Sequence, residues 1–213
     1  MIKGIIFDLD GVIISTDEYH YLAWKSIADK EGIYFDRTIN NRLRGVSRMN
    51  SLEIILERAH RSYSEEEKIA LTDQKQKVYR DSLGQLSPSD LSKDNLNTLI
   101  TLKNKGYLLG IGSSSKNTKY ILERIGIIDM FDFIADGTMI THSKPDPEVF
   151  LLAASGLKLN TSECVVIEDA FSGIDAGNAG GFITIGIGDA SRYDKANFHI
   201  NQLNEIIDIV DKL

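Results

Sequence analysis

Two acidic pairs carry most of the chemistry that this chain can do. Asp8 and Asp10 stand in FDLDG, residues 7–11, and Glu168 and Asp169 stand in VVIEDAFSG, residues 165–173. In both segments the acids follow a short apolar run and precede a glycine. Side chains two apart in an extended segment point the same way, so Asp8 and Asp10 can project together from one tip. Carboxylates held that close repel each other, and a bound divalent cation relieves the repulsion. All-oxygen donors of this kind suit Mg²⁺, which keeps part of its water and binds substrate phosphate as well. Alone, a DxD pair after a strand serves equally well as a cap for the next helix or turn. A second acidic tip at Glu168–Asp169 makes two unrelated acidic turns the poorer reading and points to a site built from four carboxylates.

Hydroxyls and cations complete the set. Ser113 ends the apolar run LLGIGS, and Ser114, Ser115, Lys116 and Asn117 open the next helical stretch. A helix N-terminus bearing hydroxyls and a lysine is a natural phosphate site. The same SSSKN run is also a good N-cap on its own. Lys144, in SKPDP at 143–147, lies just before a helix started by proline. A lone surface lysine is normally just solvated, so Lys144 draws interest through its company.

These residues need elements to hold them. Short apolar, β-rich runs at 2–7, 107–112, 133–135, 164–167 and 182–187 alternate with longer helical patterns. Strands of that kind, buried on both faces and separated by helices, imply an α/β fold with a Rossmann-like parallel sheet. The segment SKDNLNTLITLKNKG predicts a connecting helix, with Leu96, Leu99, Ile100 and Lys103 at helical spacing and Gly106 as its stop. Ligands of open α/β sheets bind at the carboxyl ends of the strands, which is where the acids fall. From 15 to 86 no strand is evident. Met49, Leu52, Ile55, Leu56 and Ala59 are spaced for a helix, the charged SEEEKIALTDQKQKVYR follows, and LGQLSPSD reads as the return linker. The expected organisation is a catalytic core of 1–14 and 87–213 with an all-helical cap domain, 15–86, inserted after the first strand on two hinge segments.

Composition narrows the class. The 213 residues are 42% hydrophobic and 26% charged, ordinary for a globular protein. No apolar run reaches the roughly 18–20 residues of a membrane helix. MIKGIIFDLDGV does not read as a signal peptide, because aspartates interrupt its short apolar stretch. A single cysteine, Cys164, excludes an intrachain disulfide, and a cytoplasmic setting is expected. The net charge of −7 argues against nucleic acid as a partner. It also means that a phosphate ester would need a locally positive pocket in an acidic protein.

In combination, FDLDG, a strand-terminal Ser113, Lys144 in SKPDP and Glu168–Asp169 in IEDAFSGIDAG resemble the four ordered motifs of the haloacid dehalogenase superfamily. Within it, DGVIISTDEYHYLAWK, RGVSRMNSLEIIL and SSSKNTKYILER resemble the β-phosphoglucomutase family, over nearly the whole chain except the last fifteen or so residues. The resemblance implies that Asp8 is a nucleophile that becomes an aspartyl phosphate, and that Asp10 is the general acid and base. It implies Mg²⁺ held by Asp8, the backbone carbonyl of Asp10, Glu168 and Asp169, with Ser113 and Lys144 gripping the transferring phosphate. It further implies a sugar phosphate as substrate and β-glucose 1,6-bisphosphate as the phosphorylating intermediate. A mutase must hold a bisphosphate in two orientations, so it needs a second phosphate site. Arg48, Ser115, Lys116 and Asn117 match the residues that form it, and the planar fork of Arg48 suits the task. Arg44, Gly45, Val46, Ser47 and Ser51 belong to the same substrate-binding loop by this match.

His20 and Trp24 lie four apart and share a helix face. Trp24 reads first as packing, although it falls among the substrate-binding residues by resemblance. His20 matches a residue that couples cap closure to the proton transfer at Asp10, and Thr16 and Lys75 match hinge and cap positions with supporting roles. His60, His142 and His199 match no motif, and Cys164 reads as packing. Arg44 replaces a lysine usual in relatives, and the two cations differ in geometry. Ser15 replaces an acid common before the hinge threonine. A phosphatase of the same superfamily would use the same Asp8 and Mg²⁺ with water as acceptor, without needing a second phosphate clamp. A noncatalytic binding protein would tolerate loss of Asp8, Asp10, Lys144 or Asp169, and all are present. A monomer is the default expectation.

Overall fold

The computed structural model describes residues 1–43 and 47–213, and the chain divides into two compact units: Met1–Ser15 with Leu86–Leu213, and Thr16–Gln85. This division falls one residue inside each end of the helical stretch expected from sequence.

The first unit is organised by a parallel sheet of β1 (Gly4–Phe7), β2 (Leu108–Gly112), β3 (Phe133–Ala135), β4 (Cys164–Glu168), β5 (Ile183–Gly186) and β6 (Phe198–His199). Their spatial order is β3-β2-β1-β4-β5-β6, and every neighbouring pair is parallel. The order reverses direction between β1 and β4, the place where an open parallel sheet leaves a crevice at its carboxyl edge. All four residues of β1 are buried, which explains its unbroken apolar run. Phe7 stands opposite both Ile111 and Ile167, so the residues just after β1 and late in β4 come out side by side. The β6 strand has two residues, too short to show a pattern in the sequence.

Helices connect these strands, α5 (Lys93–Asn104), α6 (Thr118–Arg124), α7 (Glu148–Gly156) and α8 (Phe171–Ala179), and α9 (Ile206–Val210) follows the last of them. The α5 helix starts on Ser92, whose side chain accepts from the Asn95 amide at 3.0 Å, and Gly106 beyond its end takes φ +90°. It buries Thr98, Leu99 and Leu102 and leaves Ile100 exposed. The face expected at Leu96, Leu99, Ile100 and Lys103 is thus rotated, because a threonine and Leu102 meet the core where Ile100 was expected. The α7 helix places Val149, Phe150, Ala153 and Ala154 against Ile6 and Val166 of the sheet. Phe150 is wholly buried there, a contribution of about 1.5–3 kcal/mol.

The second unit holds α1 (Asp17–Lys30), α2 (Arg37–Asn41), α3 (Arg48–Leu56) and α4 (Glu65–Leu83), with no strand among its described residues. It has a core of its own, including Trp24, Ile27, Phe35, Leu52, Ile55 and Leu71, with Met49, Leu56 and Ala59 packed around it. A capping box starts α4: Ser64 Oγ accepts from the Glu67 amide, and a Glu67 carboxylate oxygen accepts from the Ser64 amide at 2.8 Å.

Where α7 ends, the close approach of backbone to ring is possible only because residue 156 has no side chain. A Cβ at Gly156 would lie 2.2 Å from the ring of Phe133. Gly156→Ala is expected to cost about 1–3 kcal/mol through overpacking, read as a lower midpoint in urea with an unchanged m-value.

Candidate active site

The backbone of β1 delivers Asp8 directly to the sheet edge: its amide donates to the Ile167 carbonyl of the neighbouring strand at 2.9 Å. Residues 9–14 then fold into a compact turn, with the amides of Ile13 and Ile14 donating to the Leu9 carbonyl and that of Gly11 to the Ile14 carbonyl. Gly11 takes φ +81°, and a Cβ there would stand 2.0 Å from a carboxylate oxygen of Asp169. Gly173 plays the same part across the site, where a Cβ would fall 1.9 Å from the Glu168 carboxyl. Both glycines leave the space that the acids occupy. The sequence reading noted only that a glycine follows each acidic pair, and that position was their signal.

Lys144 fills the centre. Its ammonium donates to Asp8 Oδ1 at 2.5 Å and to Glu168 Oε1 at 2.6 Å, and the side chain is 9% exposed. The ring of Phe150 lies 4.5 Å beneath the ammonium. Burial pulls the Lys144 ammonium toward the neutral form, but Asp8 and Glu168 together hold it above its ordinary value. For Asp8 the balance goes the other way. Burial raises it well above the usual carboxylate range, Lys144 opposes this, and the charges of Glu168 and Asp10 add to the rise. The second oxygen of Glu168 accepts from the Ala170 amide at 2.7 Å, which fixes the carboxylate.

Asp8, Glu168 and Asp169 each place a carboxylate oxygen within 4.8 Å of the others. When ionised, these three acids against one ammonium leave two negative charges, which a divalent cation balances. The donors are all oxygen, and the residues fit Mg²⁺. Among the described residues the Asp10 carboxylate is outside this group, so three of the four expected carboxylates converge. Asp10 remains near enough for its charge to act on Asp8.

Ser113 is buried at the end of β2, and its hydroxyl accepts from the Ser115 amide at 3.2 Å. The Ser115 hydroxyl accepts from the Asn117 amide at 3.2 Å, so the SSSKN run does cap its own turn. Lys116 is exposed and Asn117 half-buried beside it. The loop carrying Lys144 is closed by Glu148, which accepts from the amides of Thr141 and His142. His142, Asp146 and Glu148 also form a compact group, and the bonds to Glu148 give it a structural part.

The other candidates lie in the helical unit. Thr16 is buried just before α1 and accepts from the Tyr79 hydroxyl at 3.2 Å. Trp24 is 4% exposed within the unit's core, as its packing reading required. Ser51 and Lys75 are buried, and Ser47 caps α3 through the Asn50 amide with Arg48 exposed beside it. Lys75 contacts His20 Nδ1 at 2.8 Å. Arg44, Gly45 and Val46 lie outside the described residues.

A family model for haloacid dehalogenase-like hydrolases matches residues 2–181. The chain belongs to that family. Among haloacid dehalogenase-like relatives, a β-phosphoglucomutase of Bacillus subtilis is 42% identical over 206 residues, covering 96% of this chain and 91% of that one. A phosphorylated carbohydrates phosphatase of Thermotoga maritima is 28% identical over 84% of this chain and 82% of its own. A β-phosphoglucomutase from Clostridium difficile superposes with a TM-score of 0.85 at 39% identity, covering 100% of this chain and 96% of that one. Its likeness extends across sheet and helices alike.

Removing the central cation exposes what it does. Lys144→Met should lower stability by about 3–5 kcal/mol near neutral pH, because two buried carboxylates lose their shared partner. The share due to Asp8 should shrink as pH falls, since its raised pKa means that the folded protein takes up that proton before the unfolded chain does. Denaturant titrations of both proteins across the acid range check this.

Proposed function

We propose that this chain is a Mg²⁺-dependent β-phosphoglucomutase, interconverting β-D-glucose 1-phosphate and glucose 6-phosphate through an aspartyl phosphate on Asp8 and β-glucose 1,6-bisphosphate. The observation that carries the reading is the buried Asp8 carboxylate at a strand tip, held by Lys144 beside Glu168 and Asp169. The likeness to the two β-phosphoglucomutases supports a sugar hydroxyl as the acceptor.

In the first half-reaction an Asp8 oxygen attacks the phosphorus of the bisphosphate in line, and the bond from phosphorus to the sugar oxygen breaks. Asp10 donates its proton to that departing oxygen. In the second half-reaction the free 6-hydroxyl of β-glucose 1-phosphate gives its proton to Asp10 and attacks the phosphorus of the aspartyl phosphate, which forms the bisphosphate again and releases Asp8. Lys144 and Ser113 hold the phosphoryl oxygens, and Lys144 also opposes the effect of burial, favouring the charged, nucleophilic form of Asp8. Bound Mg²⁺, held by Asp8, Glu168, Asp169 and the backbone carbonyl of Asp10, would supply positive charge to the transferring group. Arg48, Ser115, Lys116 and Asn117 are assigned to the phosphate that is not being transferred. Ser47, Ser51 and the loop of Arg44, Gly45 and Val46 are assigned to the sugar, with Thr16, His20 and Lys75 supporting Asp10. A cytoplasmic monomer is proposed, with buried Cys164 fitting a reducing compartment. No helix among the described residues is long and apolar enough to cross a membrane.

The phosphatase relative favours a second reading, in which water takes the phosphoryl group from Asp8. One assay separates the two. With β-glucose 1-phosphate, Mg²⁺ and a trace of β-glucose 1,6-bisphosphate, glucose 6-phosphate should form much faster than inorganic phosphate. Predominant release of inorganic phosphate overturns the mutase. Asp8→Asn should lose at least about a thousandfold in kcat, because an amide is no nucleophile.

A further inference from the structure

Lys75 is a buried cation with no acid to balance it. It is 3% exposed, and no carboxylate among the described residues pairs with it. Its Nζ is 2.8 Å from His20 Nδ1, 4.7 Å from the centre of the Tyr79 ring and 5.2 Å from that of Trp24. The His20 ring stacks on Tyr79 at 4.0 Å, so imidazole, phenol and indole surround the amine. From α1 come His20 and Trp24, from α3 Arg48, and from α4 Lys75 and Tyr79; of these groups only Arg48 carries a permanent charge. A buried ammonium ordinarily needs a partner of opposite charge, and here the fixed charge acting on it has the same sign.

The protonation of the pair follows from this arrangement. Burial first, then the charge of Arg48, pull Lys75 down to about 7. Burial first, then Lys75 and Arg48, push His20 down to about 3, so its ring is neutral. With Nδ1 accepting from Lys75, the imidazole keeps its own proton on Nε2. A dianion at Arg48 would cancel the field that disfavours the ammonium.

We infer that Lys75, with His20 as acceptor, is the proton-uptake group of the phosphate site at Arg48, so that binding of a sugar phosphate dianion there draws a proton onto Lys75. The inference rests on the assignment of Arg48 to a substrate phosphate in the reading above. The proton comes from solvent and binds the free electron pair of Lys75 Nζ; no covalent bond forms. The protonated Lys75 then adds its positive charge to that of Arg48 near the phosphate. His20 is a positioning residue in this scheme, since it orients the amine and does not carry the charge.

Calorimetric titration of glucose 6-phosphate into the Mg²⁺-loaded protein near pH 7, in two buffers of different ionisation enthalpy, counts the protons taken up. Wild type should gain about half a proton more than Lys75→Arg or Lys75→Met, since a group with a pKa near 7 is half-protonated before binding. Lys75→Arg should keep affinity within a few-fold, whereas Lys75→Met should weaken binding roughly tenfold or more. A merely structural Lys75 would alter affinity in the variants and leave the proton count alone, and that result overturns the inference. So does wild-type uptake equal to that of Lys75→Arg, which leaves the mutase reading standing. If Arg48→Ala binds the sugar phosphate as tightly as wild type, the assignment of Arg48 falls and the inference falls with it. Mutase turnover measured on the same preparations tests the proposed reaction separately.

Discussion

One ammonium shared by two buried carboxylates is the interaction on which the rest of the site depends. Lys144 reaches Asp8 and Glu168 from a different loop, so it ties the tip of β1 to the tip of β4. Each acid alone would be expensive to bury, and burial does drive Asp8 toward its neutral form. The lysine limits that drift without abolishing it, because one positive charge faces three acids. The site is therefore built short of positive charge, and a phosphoryl-binding enzyme can use that shortage to retain a divalent cation.

Much of the fold could be read from the sequence because its central strands are buried on both faces. Unbroken apolar runs such as those of β1 and β4 leave little choice of structure. The helical insertion was visible through its lack of strands and its spacing of Met49, Leu52 and Ile55. What escaped was short or decided by packing. A two-residue edge strand at Phe198–His199 carries no period, and the buried face of α5 depends on how the helix rolls against its neighbours, which places Thr98 inward and Ile100 outward.

For the site, residue type and position after a strand were enough to single out Asp8, Glu168, Asp169 and Ser113. Lys144 was weaker in the sequence, since nothing local distinguishes it from a solvated lysine; only the tertiary fold brings it to the two acids. In the SSSKN run the structure shows the capping role, with Ser113 and Ser115 accepting from amides of the turn. Least legible was the surrounding of Lys75. Three aromatic rings drawn from α1 and α4 leave no motif, although they surround that amine.

The insertion of the helical unit after β1 has a consequence for the order in which the enzyme is made. Asp8 directly follows β1, and that strand finds its neighbours at Leu108 and Cys164, far along the chain. Residues 16–85, by contrast, are contiguous and carry a core of their own. Local contacts form sooner than distant ones, so the helices can condense while β1 still waits for partners. The carboxylates of Asp8, Glu168 and Asp169 meet only after residue 169 has emerged, which makes their cluster one of the later parts of the molecule to form.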